Sequence, residues 1–508
     1  MRRKNSLRLA ALAAGGVATL AVAAPSQASY FSTASNAVCK GAVDLHGLGA
    51  STQRDVLLQG WGATLLAPSP GGPNAVGFGY DAGADYANCG VFKTPADGGT
   101  KVFDYRASGS GSAIDAFGGK AANDPRSWTD ATTGTTYSDF AIGGTDDPPT
   151  EQQIAWAEAG PPAHPTEGQL LTIPVAQVAV AAAVRLPDGC QIANNADRSL
   201  SRQQADLAFQ GVSTTWRAVF GTAVTAISGS GLTSDQCRDK SFKRVVRLDS
   251  SGSTFIFKRY LNAASHAAGG SSFDWRDPAD GGTLANQTWP NDAGATAVVR
   301  GAANGAGSLL DALSAQGENG GIGYGDVSTL RAKSYGWDYN GAYTADDNKL
   351  WLRAQRINND NYNSPAVTNA QVASGSNAGA ACNTVTYDNQ PATLGESWQP
   401  ASAVLTPTDF PGCGLTYQMT WLWGFDTENS RFKAVQAGAT EGEWRAVRDY
   451  LRYVLGVIRP GVGPSKLAPL GYSKLPTDVA NKAIQAANKV GWLRSGSTDG
   501  QPEDPVLP

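Results

Sequence analysis

The run LLTIPVAQVAVAAAV, residues 170 to 184, constrains this chain more than any other stretch. It is apolar almost throughout, yet it falls short of the roughly 20 residues that a membrane-crossing helix needs. It therefore reads as a buried strand. Shorter strand-like runs surround it in the chain: KVFDY (101 to 105), DFAI (139 to 142) and FKRVVRL (242 to 248). Helical spacing of apolar residues alternates with them, over Leu200 to Phe209, Phe255 to Ala267, Trp444 to Val457 and Asp478 to Val490. Such alternation indicates an α/β fold. Stretches rich in Gly and Asn, near 265 to 305 and 357 to 381, read as surface excursions, and the tail from Ser495 to Pro508 lacks an apolar pattern and is expected to be disordered. No internal repeat is visible.

The beginning of the chain reads as a targeting segment. Arg2, Arg3 and Lys4 precede an apolar stretch from Leu9 to Ala24, and Ser26-Gln27-Ala28 follows as a small-residue cleavage site. Residues 1–28 are thus expected to be a signal peptide, the product to be exported by the general route, and a lipid anchor to be absent because no cysteine sits at the cleavage site. Six cysteines in an exported chain imply disulfides rather than metal ligands. Among the possible pairings we expect sequence neighbours to join: Cys39 with Cys89, Cys190 with Cys237, and Cys382 with Cys413. The net charge of −4 and the lack of long basic runs argue against nucleic acid or an anionic membrane surface as a partner. Three scattered histidines, His46, His164 and His266, supply a metal site or a catalytic triad poorly, and no G-x-S-x-G elbow accompanies them.

Residues 247 to 257, RLDSSGSTFIF, join the strand-like KRVVRL to a helical pattern. A strand-to-helix turn presents unpaired N–H groups at the positive end of the helix, which binds anions. Ser250, Ser251, Ser253 and Thr254 add hydroxyls, Gly252 permits close approach, and Arg247 offers a fork matched to a tetrahedral oxyanion. A well-capped helix, with Asp249 or Ser250 as N-cap, accounts for the same residues. Two further turns of this kind occur, HGLGAST (46 to 52) and RASGSGSAIDAF (106 to 117), and GGTDDPP (143 to 149) ends a strand with aspartates. Several such turns at strand ends suggest convergence on one ligand.

These residues resemble the phosphate-binding protein of the phosphate ABC transporter, the PstS family of the type II periplasmic-binding-protein fold. RLDSSGS (247 to 253) matches that family's R-x-D-x-S-G-T/S position by position, Gly47-Leu48-Gly49-Ala50-Ser51 its G-x-G-A-T/S, Gly109-Ser110-Gly111-Ser112 its Ser/Gly turn, and Gly144-Thr145-Asp146-Asp147-Pro148 its G-x-S-D-x-P with spacing one residue shorter. FQGVSTTW (209 to 216), TWP (288 to 290), GGIGYGDVS (320 to 328) and GYSKLP (471 to 476) resemble further signatures in the right order. The chain departs from the family in its length, in Thr52-Gln53 where Phe-Pro is usual, and in the missing lipid-anchoring cysteine.

The resemblance implies two α/β lobes with the ligand cleft between them: 29–175 and 405–494 forming lobe one, 176–404 forming lobe two, and 495–508 a tail. It implies phosphate ligands at Ser51, Thr52 (backbone), Ser110, Asp146, Arg247, Ser251, Gly252 (backbone) and Ser253, with Asp249 pairing the arginine. Ser108 or Ser112 stand as alternatives to Ser110, and Asp147 to Asp146. No cofactor and no metal are implied, and the implied product is a monomeric, secreted binding protein rather than an enzyme. It would bind inorganic phosphate and pass it to an ABC permease. A scavenger or sensor without a transporter, and a secreted phosphate-ester hydrolase, are the alternative readings. In such a site one carboxylate accepts the proton that phosphate retains, whereas sulfate has none. At about 4 Å and a dielectric near 20, the bare repulsion is about 4 kcal/mol.

Overall fold

Twelve strands of the computed structural model form one mixed sheet: β1 (Leu45–Gly49), β2 (Gly77–Gly79), β3 (Gly90–Lys93), β4 (Thr100–Arg106), β5 (Phe140–Thr145), β6 (Leu170–Arg185), β7 (Lys243–Val246), β8 (Val298–Arg300), β9 (Gly321–Asp326), β10 (Lys349–Trp351), β11 (Cys413–Trp421) and β12 (Tyr472–Ser473). The structure describes residues 45–56, 77–79, 90–93, 100–106, 108–122, 127–129, 136–137, 140–159, 170–275, 289–290, 298–336, 348–366, 380–425, 441–457 and 462–493. The expected signal peptide, Cys39, Cys89, His164 and the tail lie outside them. Among the described residues no helix is long and apolar enough to cross a membrane.

The strand order is β8, β7, β9, β6, β11, β5, β1, β4, β3, β2, with β10 and β12 also paired to β6. Two parallel groups result: β1 lies between β4 and β5, and β7 between β8 and β9. The apolar run that opens the sequence argument joins them. As β6 it is buried from Leu170 to Val184. Residues Leu170 to Ala179 pair antiparallel with β11, and Val180 to Arg185 pair antiparallel with β9. A strand flanked on both edges and covered on both faces is expected to be apolar nearly throughout, and in this one the buried Gln177 is satisfied by the carbonyls of Cys382 and Lys474.

Each parallel strand that matters to the site runs into a turn and then a helix. The helices are α1 (Ser51–Asp55) after β1, α2 (Ser110–Ala116) after β4, α4 (Gly252–His266) after β7 and α5 (Ala306–Ser314) after β8; α3 (Arg202–Gln210) precedes β7, and α6 (Glu441–Val454) and α7 (Thr477–Lys489) come near the end. The helical patterns read from spacing correspond to α3, α4, α6 and α7 within a few residues. One reading is corrected. Residues 298 to 306, expected to belong to a surface excursion, form β8 and its turn, because AVVR followed by GAANGAGS repeats the strand-to-helix chemistry of the other turns.

Cys190 is bonded to Cys237, and Cys382 to Cys413, as expected. Closing loops of 47 and 31 residues stabilises by roughly 3–4 kcal/mol each. The scattered motif aromatics also meet. Phe209, Trp289 and Tyr324 pack on one another and on Phe257 of α4, with Phe257 and Tyr324 stacked at 4.8 Å and Trp289 and Tyr324 at 5.7 Å. This stack supports the inner face of α4, and Tyr324 reaches beyond it: its hydroxyl lies 2.6 Å from Thr254 Oγ1 and accepts from the Arg247 amide at 3.4 Å.

Candidate anion site

The turns after β1, β4 and β7 and the end of β5 come together at the junction of the two parallel groups. Arg247 is the most constrained side chain there. Its Nε donates to Asp249 Oδ1 at 2.7 Å and its Nη2 to Asp249 Oδ2, so the carboxylate grips one side of the guanidinium fork and leaves Nη1 free of that pair. Asp249 Oδ1 also accepts from the Gly305 amide at 3.3 Å, which ties the turn before α5 to the same carboxylate. Both side chains are buried. Burial works against the charge on Arg247, but the adjacent Asp249 outweighs it and holds the pKa above the ordinary arginine value.

The serines are arranged as donors. Ser110 Oγ accepts from the Asp146 amide at 3.1 Å and from the Gly252 amide at 3.0 Å. Those two bonds fill the lone pairs of the hydroxyl, so only its proton remains to be given. Ser51 Oγ accepts from the Ala306 amide at 3.1 Å, and Ser251 Oγ from the Thr254 amide at 3.3 Å. Each of these also keeps its proton for donation. Ser253 Oγ is buried and has no hydrogen-bond partner among the described residues. Ser112, by contrast, spends its hydroxyl on the Ser108 carbonyl within its own helical turn.

Opposite Arg247 stands Asp146, 2 % exposed. Thr52 Oγ1 donates to its carboxylate oxygens at 2.8 and 2.7 Å. Burial, the largest influence, pushes its pKa up to about 6; hydrogen bonds from Thr416 and Thr52 pull it down, the charge of Asp326 pushes up and that of Arg247 pulls down. Thr416 is itself held by Gln53, whose Nε2 donates to Thr416 Oγ1 at 2.7 Å. Asp147 turns elsewhere and accepts from Gln399 Nε2 at 2.7 Å.

One expectation changes. The N-cap of α4 is Ser251, not Asp249 or Ser250: Asp249 is committed to Arg247, while the Ser251 hydroxyl meets the Thr254 amide. Of the two residues expected to act through their backbones, Gly252 gives its amide to Ser110 Oγ, and Thr52 donates to Asp146 through its hydroxyl. Glycine at 252 has a steric reason. A Cβ there would lie 2.4 Å from Asp146 Cβ and 2.6 Å from Ser110 Oγ, so the two walls of the site meet only because it is absent. Gly109, at φ 102°, has the same relation to Asp249, whose Oδ2 would lie 2.2 Å from a Cβ.

Sequence reasoning missed the turn before α5. Asn304 Nδ2 donates to the Ser108 carbonyl at 3.3 Å, and the Gly305 and Ala306 amides bind Asp249 and Ser51. Its signal was the Gly/Asn/Ser turn between AVVR and LLDAL. His266 lies at the far end of α4, with Nδ1 2.9 Å from the Asn262 carbonyl. Among the described residues no group of three or more His, Cys, Asp or Glu side chains is placed to hold a metal ion.

A family model described as the PBP superfamily domain matches residues 84–392. Three solved structures are similar in fold. The periplasmic phosphate-binding protein PfluDING is 19 % identical, with 92 % of this chain and 100 % of that chain covered and a TM-score of 0.51. A human phosphate binding apolipoprotein is 18 % identical, with 87 % and 94 % covered and a TM-score of 0.52. The ancestral soluble variant of the Human Phosphate Binding Protein is 17 % identical, with 91 % and 99 % covered and a TM-score of 0.51. No curated protein sequence matches the chain. The two-lobed α/β architecture is common to them and to this chain.

Proposed function

From the premise that this chain belongs to the PBP superfamily, we propose that it binds inorganic phosphate between its lobes. The observation that carries the proposal is a buried carboxylate, Asp146, held by Thr52 and set beside the Ser110 hydroxyl, whose two accepted bonds leave only its proton to give, together with a clamped arginine, Arg247. Phosphate near neutral pH is both acceptor and donor. Its oxygens take the protons of Ser51, Ser110, Ser251 and Ser253 and the free edge of Arg247, and its remaining O–H is offered to Asp146. Sulfate has nothing to offer that carboxylate. Thr52 and Gly252 complete the lining, with their amides released to the ligand as the walls adjust.

The proposed lobes are 29–175 with 405–494, and 176–404. The strand β6 passes from one to the other, the chain returns just before β11, and a hinge at these crossings would admit the ligand. Export, and delivery of the phosphate to a membrane permease, follow the same reading. The relatives in the fold comparison named as periplasmic and phosphate-binding, and the two disulfides, support it.

Isothermal titration of ligand-stripped protein with phosphate and with sulfate tests the proposal. One phosphate per chain is expected, with sulfate at least a hundredfold weaker. Saturating phosphate at a hundredfold excess over Kd should stabilise the fold by about 2.7 kcal/mol. No heat and no shift in melting temperature at millimolar phosphate would sink it.

A further inference from the structure

Helix α4 starts at the candidate anion site with Gly252 and Ser253, and over its next two turns Phe255, Arg259 and Tyr260 line a cavity of about 580 Å³. Asp146 forms part of the same cavity wall. Arg356 lines it from another segment. Its side chain is buried, at 2 % exposure, yet among the described residues its Nε and Nη1 have no hydrogen-bond partner. The hydroxyl of Tyr260, also buried, has none either. Arg259 stacks on Phe255 at 4.7 Å, and its Nη1 and Nη2 donate to the carbonyls of Ala401 at 2.9 Å and Gln399 at 2.7 Å, neutral acceptors that leave its charge uncompensated by them. Burial accordingly pulls the Arg259 pKa down.

Two arginines thus face a cavity whose lining, among the described residues, includes a single carboxylate, Asp146. A buried guanidinium without acceptors carries a desolvation cost that a hydrogen-bonded anion removes. Much of the remaining wall is apolar or aromatic, including Tyr387, Leu405 and Tyr417, with Asn262, Asn358 and Ser402 as polar exceptions, so a bare inorganic anion would leave the apolar part in contact with water. An acidic head on an apolar body matches both parts.

We infer that this cavity is a second ligand site, for a small organic anion whose acidic group meets Arg356 and the Tyr260 hydroxyl and whose body lies along the aromatic wall. It is distinct from the site proposed for phosphate, although α4 and Asp146 border both.

The test is a fluorescence titration with 8-anilinonaphthalene-1-sulfonate, an aromatic anion, into protein held in saturating phosphate. Saturable binding of one dye per chain is expected. Arg356→Met should weaken it at least tenfold while the calorimetric phosphate affinity stays within threefold. Ala403→Trp, which fills the cavity from another wall, should do the same without touching the arginine. The uncharged N-phenyl-1-naphthylamine should lose less than threefold on Arg356→Met. Both variants must keep the wild-type melting transition; if Arg356→Met does not, Ala403→Trp decides alone. The inference is overturned if the wild type shows no saturable dye binding, if a folded variant of either kind binds the dye within threefold of wild type, if the neutral dye loses as much as the anion, or if phosphate displaces the dye competitively.

Discussion

The two walls of the anion site solve the burial of charge in opposite ways. On one, Arg247 is matched at once by Asp249, two residues away, and the pair is fixed by the Gly305 amide. On the other, Asp146 has no ion pair among the described residues and is held by threonine hydroxyls, and burial lifts its pKa to about 6. The arginine wall carries a charge compensated within the wall itself. The acid wall carries a charge that depends on pH and on what the ligand brings. Under the proposed function, such walls would offer an anion N–H and O–H dipoles beside one guanidinium and leave discrimination to one carboxylate.

Removing the arginine should have the largest effect. Arg247→Ala deletes the donors to the ligand and also leaves Asp249 buried without its counter-charge, so phosphate binding should fall by about 3–5 kcal/mol with the fold retained. Calorimetry decides: an affinity within threefold of wild type would break the contrast between the walls, since the arginine wall would then be dispensable.

Next comes the contact between the walls. In Gly252→Ala the new methyl would meet Asp146 Cβ at 2.4 Å and Ser110 Oγ at 2.6 Å, forcing them apart. Overpacking of this kind costs about 1–3 kcal/mol, and it should appear as weaker phosphate binding. An unchanged affinity would mean that the walls need not meet.

The smallest effects belong to the acid. Asp146→Asn should admit sulfate about tenfold better, or 1.4 kcal/mol, with phosphate changed less, because the carboxamide relieves repulsion but no longer serves as a pure acceptor. Asp147→Asn is the control, since that carboxylate faces Gln399. Without ligand the same variant sharpens the comparison through pH. The pKa of Asp146 rises from 3.8 to about 6 on folding, so the folded protein binds more protons than the unfolded chain between those values. Stability contributed at this position therefore falls as pH rises through about 6 and is level above it. Two pKa units set an upper bound of about 3 kcal/mol, and the carboxamide N–H facing donors reduces the net gain to about 1 kcal/mol. Ligand-free Asp146→Asn should melt higher than wild type at pH 8 and converge with it near pH 4. Equal melting temperatures at pH 8 would show that Asp146 is not strained by burial.

What the sequence by itself determined is local. Periodicity placed β4, β5, β6 and β7 and the helices α3, α4, α6 and α7, because alternating and helical apolar patterns are written within a few residues. Turn chemistry marked the turns 46–52, 106–117, 143–149 and 247–257, and the family resemblance implied Ser51, Ser110 and Asp146 within them and the pairing of Arg247 with Asp249, which the structure forms. The tertiary structure alone decided which donor each hydroxyl oxygen accepts. Ser110 meets Gly252 across 142 positions and Ser51 meets Ala306 across 255, and such pairings depend on how β6 and β11 bring two parallel groups of strands side by side. It also decided that Ser251 rather than Asp249 caps α4, since Asp249 is drawn to the arginine. The titration of Asp146 belongs to the same class: a carboxylate has its ordinary pKa in any chain, and only the depth at which the fold buries it and the hydroxyls that surround it move that value.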